Sequence, residues 1–119
     1  MDPASSVSNL IRRCFAAFET RDRHTLESLL SDDFTFSSPQ DDRIDKATYF
    51  ERCWPYGENV EFFRIEKLFD QGNEAFVCYI CKPKDRPAFR NTEFFRVEHG
   101  QVVEVQVYFG ATAEDVSRG

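Results

Sequence analysis

Apolar positions recur with two different periods along this chain, and the period changes near residue 60. In the first half the spacing is helical. Val7, Leu10, Ile11, Cys14, Phe15 and Phe18 fall three or four apart, with Arg12, Arg13 and Glu19 on the other side. That pattern predicts an amphipathic helix over about residues 5–20, with Ser5 or Ser6 as its cap. Asp22 is a plausible N-cap for a shorter second helix carrying Leu26, Leu29 and Leu30, which ends near Ser31-Asp32-Asp33. Asp45 can cap a third, with Ala47, Phe50, Cys53 and Trp54 on one side and Pro55 and Gly57 closing it. Between the second and third helices, Phe34–Ser38 alternates like a short strand, and Pro39–Arg43 reads as a loop.

From Val60 onward the period is two. The expected strands are Val60–Phe69, Ala75–Lys82, Phe89–Glu98 and Val102–Phe109. Turns fall at Gln71-Gly72-Asn73, at Pro83–Pro87 and at His99-Gly100, the last a two-residue hairpin link. Helices first and a strand meander afterwards is the α+β pattern. The expectation is three N-terminal helices packed on a curved antiparallel β-sheet, in a single domain spanning residues 1–119.

Three segments carry a family resemblance. They are Phe15-Ala16-Ala17-Phe18-Glu19-Thr20-Arg21-Asp22, Leu30-Ser31-Asp32-Asp33-Phe34-Thr35-Phe36, and the hairpin from Thr92 to Glu104 around His99-Gly100. With the element order, they resemble the NTF2-like (SnoaL-like) superfamily over nearly the whole chain. The resemblance implies a cone whose helices cover the concave side of the sheet, leaving a pocket between. It places Val103, Val105, Val107 and Phe109 inward on the last strand and Glu104, Gln106 and Tyr108 outward. Alternation alone gives the same split. It also turns Asn91, Glu93, Phe95 and Val97 inward on the preceding strand. Ketosteroid isomerase is the member with the clearest chemistry, using a base carboxylate, a tyrosine and a protonated acid. Those positions fall here on Ser38, on Cys14 and on or near Glu93. One of the three survives in kind, so the resemblance does not extend to that activity.

Charge and composition narrow the partners. The formal charge of -6 opposes a phosphate backbone, so no nucleic acid is expected. No apolar run approaches a membrane span, and the first residues lack the basic and apolar regions of a signal peptide. A cytoplasmic location follows by default. Thirteen phenylalanines can fill a core or line a cavity. Cys78 and Cys81, three apart on a strand, face opposite sides, so neither a metal site nor a bridge is expected from them, and four reduced thiols are. Two histidines make zinc improbable, and nothing resembles a dinucleotide or phosphate loop, so no cofactor is expected.

Candidate chemistry centres on Glu93. Among Phe95, Val97 and Phe109 its carboxyl would lose water and its pKa would rise, making it an acid, a base or a ligand anchor. Otherwise the strand is rotated, and Glu93 sits in water or pairs with Arg90 or Arg64. Asp42 could supply a second catalytic carboxylate at the pocket mouth, or be a solvated loop residue. Cys14, Ser38, Trp54, Asn91, Phe95, Val107 and Phe109 are the candidate ligand-binding residues, with Trp54 offering an indole N–H. The leading expectation is a pocket for a small, mostly apolar ligand, with cofactor-free isomerisation, hydration or cyclisation if there is a reaction. The alternative is a non-catalytic dimeric interaction module. A homodimer is expected through the outer sheet face, built on Glu104, Gln106, Tyr108, Phe94 and Arg96.

Overall fold

A computed structural model describes residues 3–113, with side chains described from Val7 onward. Helix α1 runs over Pro3–Glu19 and α2 over Arg23–Leu29. Strands β1 (Leu30–Ser38) and β2 (Asp41–Asp45) form a hairpin, followed by α3 (Lys46–Arg52) and a 3-10 turn at Trp54–Asn59. Four long strands follow: β3 (Val60–Gln71), β4 (Glu74–Pro83), β5 (Phe89–Glu98) and β6 (Gln101–Thr112).

The caps at α2 and α3 are those the sequence predicts. Asp22 accepts from the Thr25 amide and Asp45 from the Thr48 amide, satisfying first-turn N–H groups. Helix α1 begins at Pro3, ahead of the expected start, and the side chains of Ser5 and Ser6 lie outside the described ones.

All six strands form one sheet in the order β2-β1-β6-β5-β4-β3. The meander from β3 to β6 is antiparallel, whereas β1 runs parallel to β6. Residues 41–45 pair with β1, so the expected loop is mostly an edge strand. Its sequence, Asp-Asp-Arg-Ile-Asp, has no apolar alternation because neither face is fully buried. At the β5–β6 hairpin His99 and Gly100 both take positive φ, 54° and 75°, as a tight hairpin turn of the matching twist requires.

Register shifts interrupt the pairing within β1–β6, β3–β4 and β5–β6. Such bulges bend the bulged strand and raise local twist, which curls the sheet around α1. One of them corrects an expectation. Arg96 pairs with Glu104 and Val97 with Val102, leaving Val103 as the inserted residue. Val102 therefore takes the inward place in the core, and Val103 does not join it. Ile11, Phe34, Val77 and Val102 are all but inaccessible to water and anchor the core. Phe15 packs from α1 onto Phe63, Tyr79 and Phe95, with ring centroids 4.8–6.2 Å apart. The Glu19 carboxylate accepts from the Phe63 amide at 2.7 Å, tying the end of α1 to the start of β3.

Candidate functional site: a cavity lined by Glu93, Tyr79 and Asn91

The curl of the sheet leaves a cavity of about 560 Å³ under α1 and α3. Its floor is apolar and buried, with Leu26, Leu30, Phe34 and Phe95. Its rim carries exposed groups, among them Tyr56, Arg52, Arg86 and Phe109. A space of this size with few polar groups has the form of a small-molecule site.

The polar groups form a chain with a fixed direction. Alternation on β4 turns Val77, Tyr79 and Cys81 inward, and on β5 Asn91, Glu93 and Phe95. Asn91 and Tyr79 are direct partners across the sheet. The Gly110 amide donates to Asn91 Oδ1 at 3.3 Å, which leaves the Asn91 amide nitrogen to donate to the Tyr79 hydroxyl at 3.3 Å. With its oxygen so engaged, Tyr79 donates its own proton to Glu93 Oε2. Gly110 is needed here, because a Cβ at that position would lie 2.3 Å from the Arg90 carbonyl oxygen.

Glu93 is half-buried, and it faces the cavity rather than bulk solvent. Loss of water pushes its pKa up from the usual carboxyl range to about 7, against the opposing pull of the Tyr79 hydrogen bond. The neighbours respond in the same sense. Burial, reinforced by the Glu93 charge, raises Tyr79 and Tyr49 and pushes the Cys14 thiol up to about 12. Cys14 is thus a protonated wall of the site and no nucleophile at neutral pH.

Of the residues singled out from sequence, the structure brings Cys14, Ser38, Asn91, Glu93, Phe95, Val107 and Phe109 to this one cavity. Two do not line it. Asp42 is exposed on β2, and its neighbour Asp41 faces the rim instead, 2.7 Å from Arg52 and accepting from Ser38 Oγ at 3.2 Å. Pairing of β2 with β1 reverses which of the two aspartates points in. Trp54 packs behind the wall, edge-on to Phe18 and under the Arg21 guanidinium at 3.9 Å. Tyr79 is the residue that sequence reasoning passed over. Its signal was available, since a tyrosine at the inward place between Val77 and Cys81 must find a partner for its hydroxyl.

All four cysteines are free, with Cys81 on the inner face and Cys78 beside Thr92 on the outer. Among the described residues no group of three or more His, Cys, Asp or Glu could hold a metal ion, and no helix is long and apolar enough to cross a membrane.

Residues 11–105 match the SnoaL-like domain family, which is most of the chain. The chain belongs to that family. No curated protein matches it in sequence. Solved structures share the SnoaL-like fold at low identity. An NTF2-like protein of unknown function from Cytophaga hutchinsonii is 19% identical, covering 87% of this chain and 88% of that one, with a TM-score of 0.76. A putative ketosteroid isomerase from Kribbella flavida is 20% identical over 96% of this chain and 84% of that one, also at 0.76. An LEH-like epoxide hydrolase from M. tuberculosis is 17% identical over 91% and 85%, at 0.75. These similarities establish the fold; chemistry has to be argued from the cavity itself.

Proposed function

We propose that this SnoaL-like domain binds a small, mostly apolar molecule in its cavity and acts on it by cofactor-free acid–base chemistry through Glu93. The observation that carries the reading is the Glu93 carboxyl, held by Tyr79 among apolar walls with a pKa of about 7. A group balanced between its two protonation states at neutral pH can both take and return a proton. Tyr79 occupies one carboxylate oxygen, so the other would meet the ligand. The cavity's remaining carboxylate, Asp41, is engaged by Arg52. One free carboxyl suits a reaction in which a single base removes a proton from one atom and delivers it to another. Isomerisation is the simplest such case, and hydration and cyclisation belong to the same class. Similarity to a putative isomerase and to an epoxide hydrolase supports a pocket that handles apolar molecules. The site is expected to work in the cytoplasm.

The test is a carboxyl NMR titration of Glu93, alone and with whatever small molecule co-purifies as identified by mass spectrometry. A midpoint near 7 that moves on ligand addition is expected. A midpoint in the ordinary carboxyl range, unmoved by any bound molecule, sinks the reading.

A second property rests on the outer sheet face. Phe69 and Phe76 are partners across β3 and β4, 71% and 50% exposed, and Phe76 packs on Phe94 at 5.3 Å. Tyr108 lies on the same face of β6, 50% exposed. Rings grouped this way favour burial, and a second copy of the same face would supply it. We propose a homodimer through this face, with Phe69 and Phe76 added to the residues expected from sequence. Sedimentation at micromolar concentration should show a dimer, and Phe76→Asp should yield monomer. A wild-type monomer at that concentration removes the proposal.

A further inference from the structure

We propose that Tyr49 on α3 holds the ligand by donating its hydroxyl proton to an uncharged oxygen, which makes the ligand an apolar molecule carrying a ketone, ester or ether group. This inference rests on the pocket reading above and adds a binding residue and a ligand class to it.

Three tyrosines line the cavity, and their hydroxyls are employed differently. Tyr79 on β4 accepts from Asn91 and donates to Glu93. Tyr56 at the rim accepts from Arg86 at 2.9 Å. The Tyr49 hydroxyl has no hydrogen-bond partner among the described residues. What fixes this side chain is apolar. Phe34, Phe36 and Phe50 pack on its ring with centroids 5.2, 5.1 and 5.3 Å away, so the phenol has little room to turn. Its backbone is anchored too, because the Cys53 amide donates to the Tyr49 carbonyl at 2.8 Å. A ring that served packing alone would need no hydroxyl, since phenylalanine fills the same space with no polar atom to satisfy. A phenol in an apolar wall ordinarily finds a partner, so one held fast beside an open cavity without one is a donor kept for what enters. Tyr49 stands on α3, whereas the tyrosine position of ketosteroid isomerase falls at Cys14 on α1, so the donor belongs to this chain's own cavity.

Charge decides what the hydroxyl can meet. Burial, and after it the Glu93 charge, keep the Tyr49 phenol protonated at neutral pH, so it remains a donor. The Glu93 charge that reaches Tyr49 would also repel an anionic oxygen placed against it. A neutral carbonyl or ether oxygen accepts the proton at no such cost. The cavity thus offers a donor on its α3 wall and a proton acceptor on its β5 wall. A molecule bridging the two needs an acceptor oxygen toward Tyr49 and a transferable hydrogen toward Glu93.

The probes are 2-acetylnaphthalene and 2-isopropenylnaphthalene, which share their outline and differ by an oxygen in place of a methylene, with 2-naphthoate as the charged counterpart. Binding is measured by calorimetry at neutral pH on the full chain, with the Glu93 carboxyl resonance followed in parallel. In Tyr49→Phe the ketone should lose about five-fold in affinity, as one neutral hydrogen bond implies, while the hydrocarbon keeps its own. Naphthoate should bind the parent more weakly than the ketone. Denaturant unfolding supplies a readout without any ligand. Tyr49→Phe should unfold at the parent's midpoint or above it, whereas Tyr79→Phe, which strips Asn91 and Glu93 of their partner, should unfold earlier. A Tyr49→Phe protein that unfolds earlier as well would mean that the hydroxyl is satisfied within the fold, and the proposal fails. Ketone affinity unchanged in Tyr49→Phe, or reduced equally with that of the hydrocarbon, overturns the donor while the pocket stands, provided both probes move the Glu93 resonance. Naphthoate bound more tightly than the ketone overturns the uncharged oxygen. If neither naphthalene binds or moves Glu93, the pocket reading and this inference fall together.

Discussion

Two faces of one sheet treat the same side-chain type in opposite ways. Glu93 on β5 and Glu104 on the adjoining β6 are both carboxylates on central strands. On the concave face, scarce water leaves Glu93 only Tyr79 for help, and its pKa rises to about 7. On the convex face, Glu104 accepts from Gln106 at 2.6 Å and from Arg96 at 3.1 Å, and these hydrogen bonds hold it below the usual range. Glu66 behaves like Glu104, held low by Arg90. Among the described residues arginines therefore serve other strand carboxylates, and none is set against Glu93. An acid turned into an apolar cavity without a cation is costly to folding, so it marks a place where function has a claim on the structure.

The largest expected effect tests the faces themselves. Phe94 and Phe95 are adjacent in sequence and point to opposite sides. Phe95 is 3% exposed and packs on Phe15, whereas Phe94 is half-buried beside Phe76. Phe95→Ala should cost about 3–5 kcal/mol in denaturant unfolding, because it removes a buried ring packed on Phe15 at the cavity floor. Phe94→Ala should cost about 1 kcal/mol per chain in dilute protein, and more as protein concentration rises, if the face is a dimer interface. Equal losses for the two would show that the convex face is packed like a core.

Next in size is Glu93→Gln, which removes the charge and keeps the shape. A raised folded pKa means that the native state binds the proton more tightly than the unfolded chain does. The term is fully favourable below the unfolded value near 4.5 and is lost as pH rises through about 7. Above that, the ionised carboxyl opposes folding by roughly 1–3 kcal/mol. The glutamine variant should therefore be more stable than the parent at pH about 8, and should lose the parent's decline between those two values. Ligand binding or turnover should fall in the same protein. A variant that loses stability at alkaline pH would mean that Glu93 is ionised and well satisfied in the native fold.

Alternation made this contrast readable before any coordinates. The inward set Asn91, Glu93, Phe95 and Val97 follows from period two on β5, and the caps Asp22 and Asp45 follow from local chemistry. What period could not carry was every place where pairing departs from it. Val103 is displaced by a bulge, and Asp41 takes the rim from Asp42 because an unpatterned segment pairs as an edge strand. Trp54 faced the right helix side, but a 3-10 turn and the Arg21 guanidinium turned it into the wall behind the cavity. Arg86 lies in a loop with no period at all, and its place at the rim depends on Tyr56, thirty residues earlier.

The smallest effect belongs to Glu104, and its sign should be opposite to that of Glu93. Its pKa is depressed, so its stabilising contribution is present above the unfolded carboxyl value and is lost as pH falls through the folded one. Glu104→Gln should therefore destabilise at neutral pH. The Arg96–Glu104 pair is partly exposed, with side chains 35% and 25% accessible, so water and salt screen most of the attraction. The loss should stay under about 1 kcal/mol and shrink further in high salt. It should also vanish at low pH, where the parent carboxyl is protonated and the two proteins carry the same charge at this position. Measured side by side, Glu93→Gln and Glu104→Gln should give stability differences of opposite sign at neutral pH that converge on acidification. Two losses of the same sign would mean that the concave face solvates its carboxylate as well as the convex face does, and the contrast between the faces would fail at its central residue.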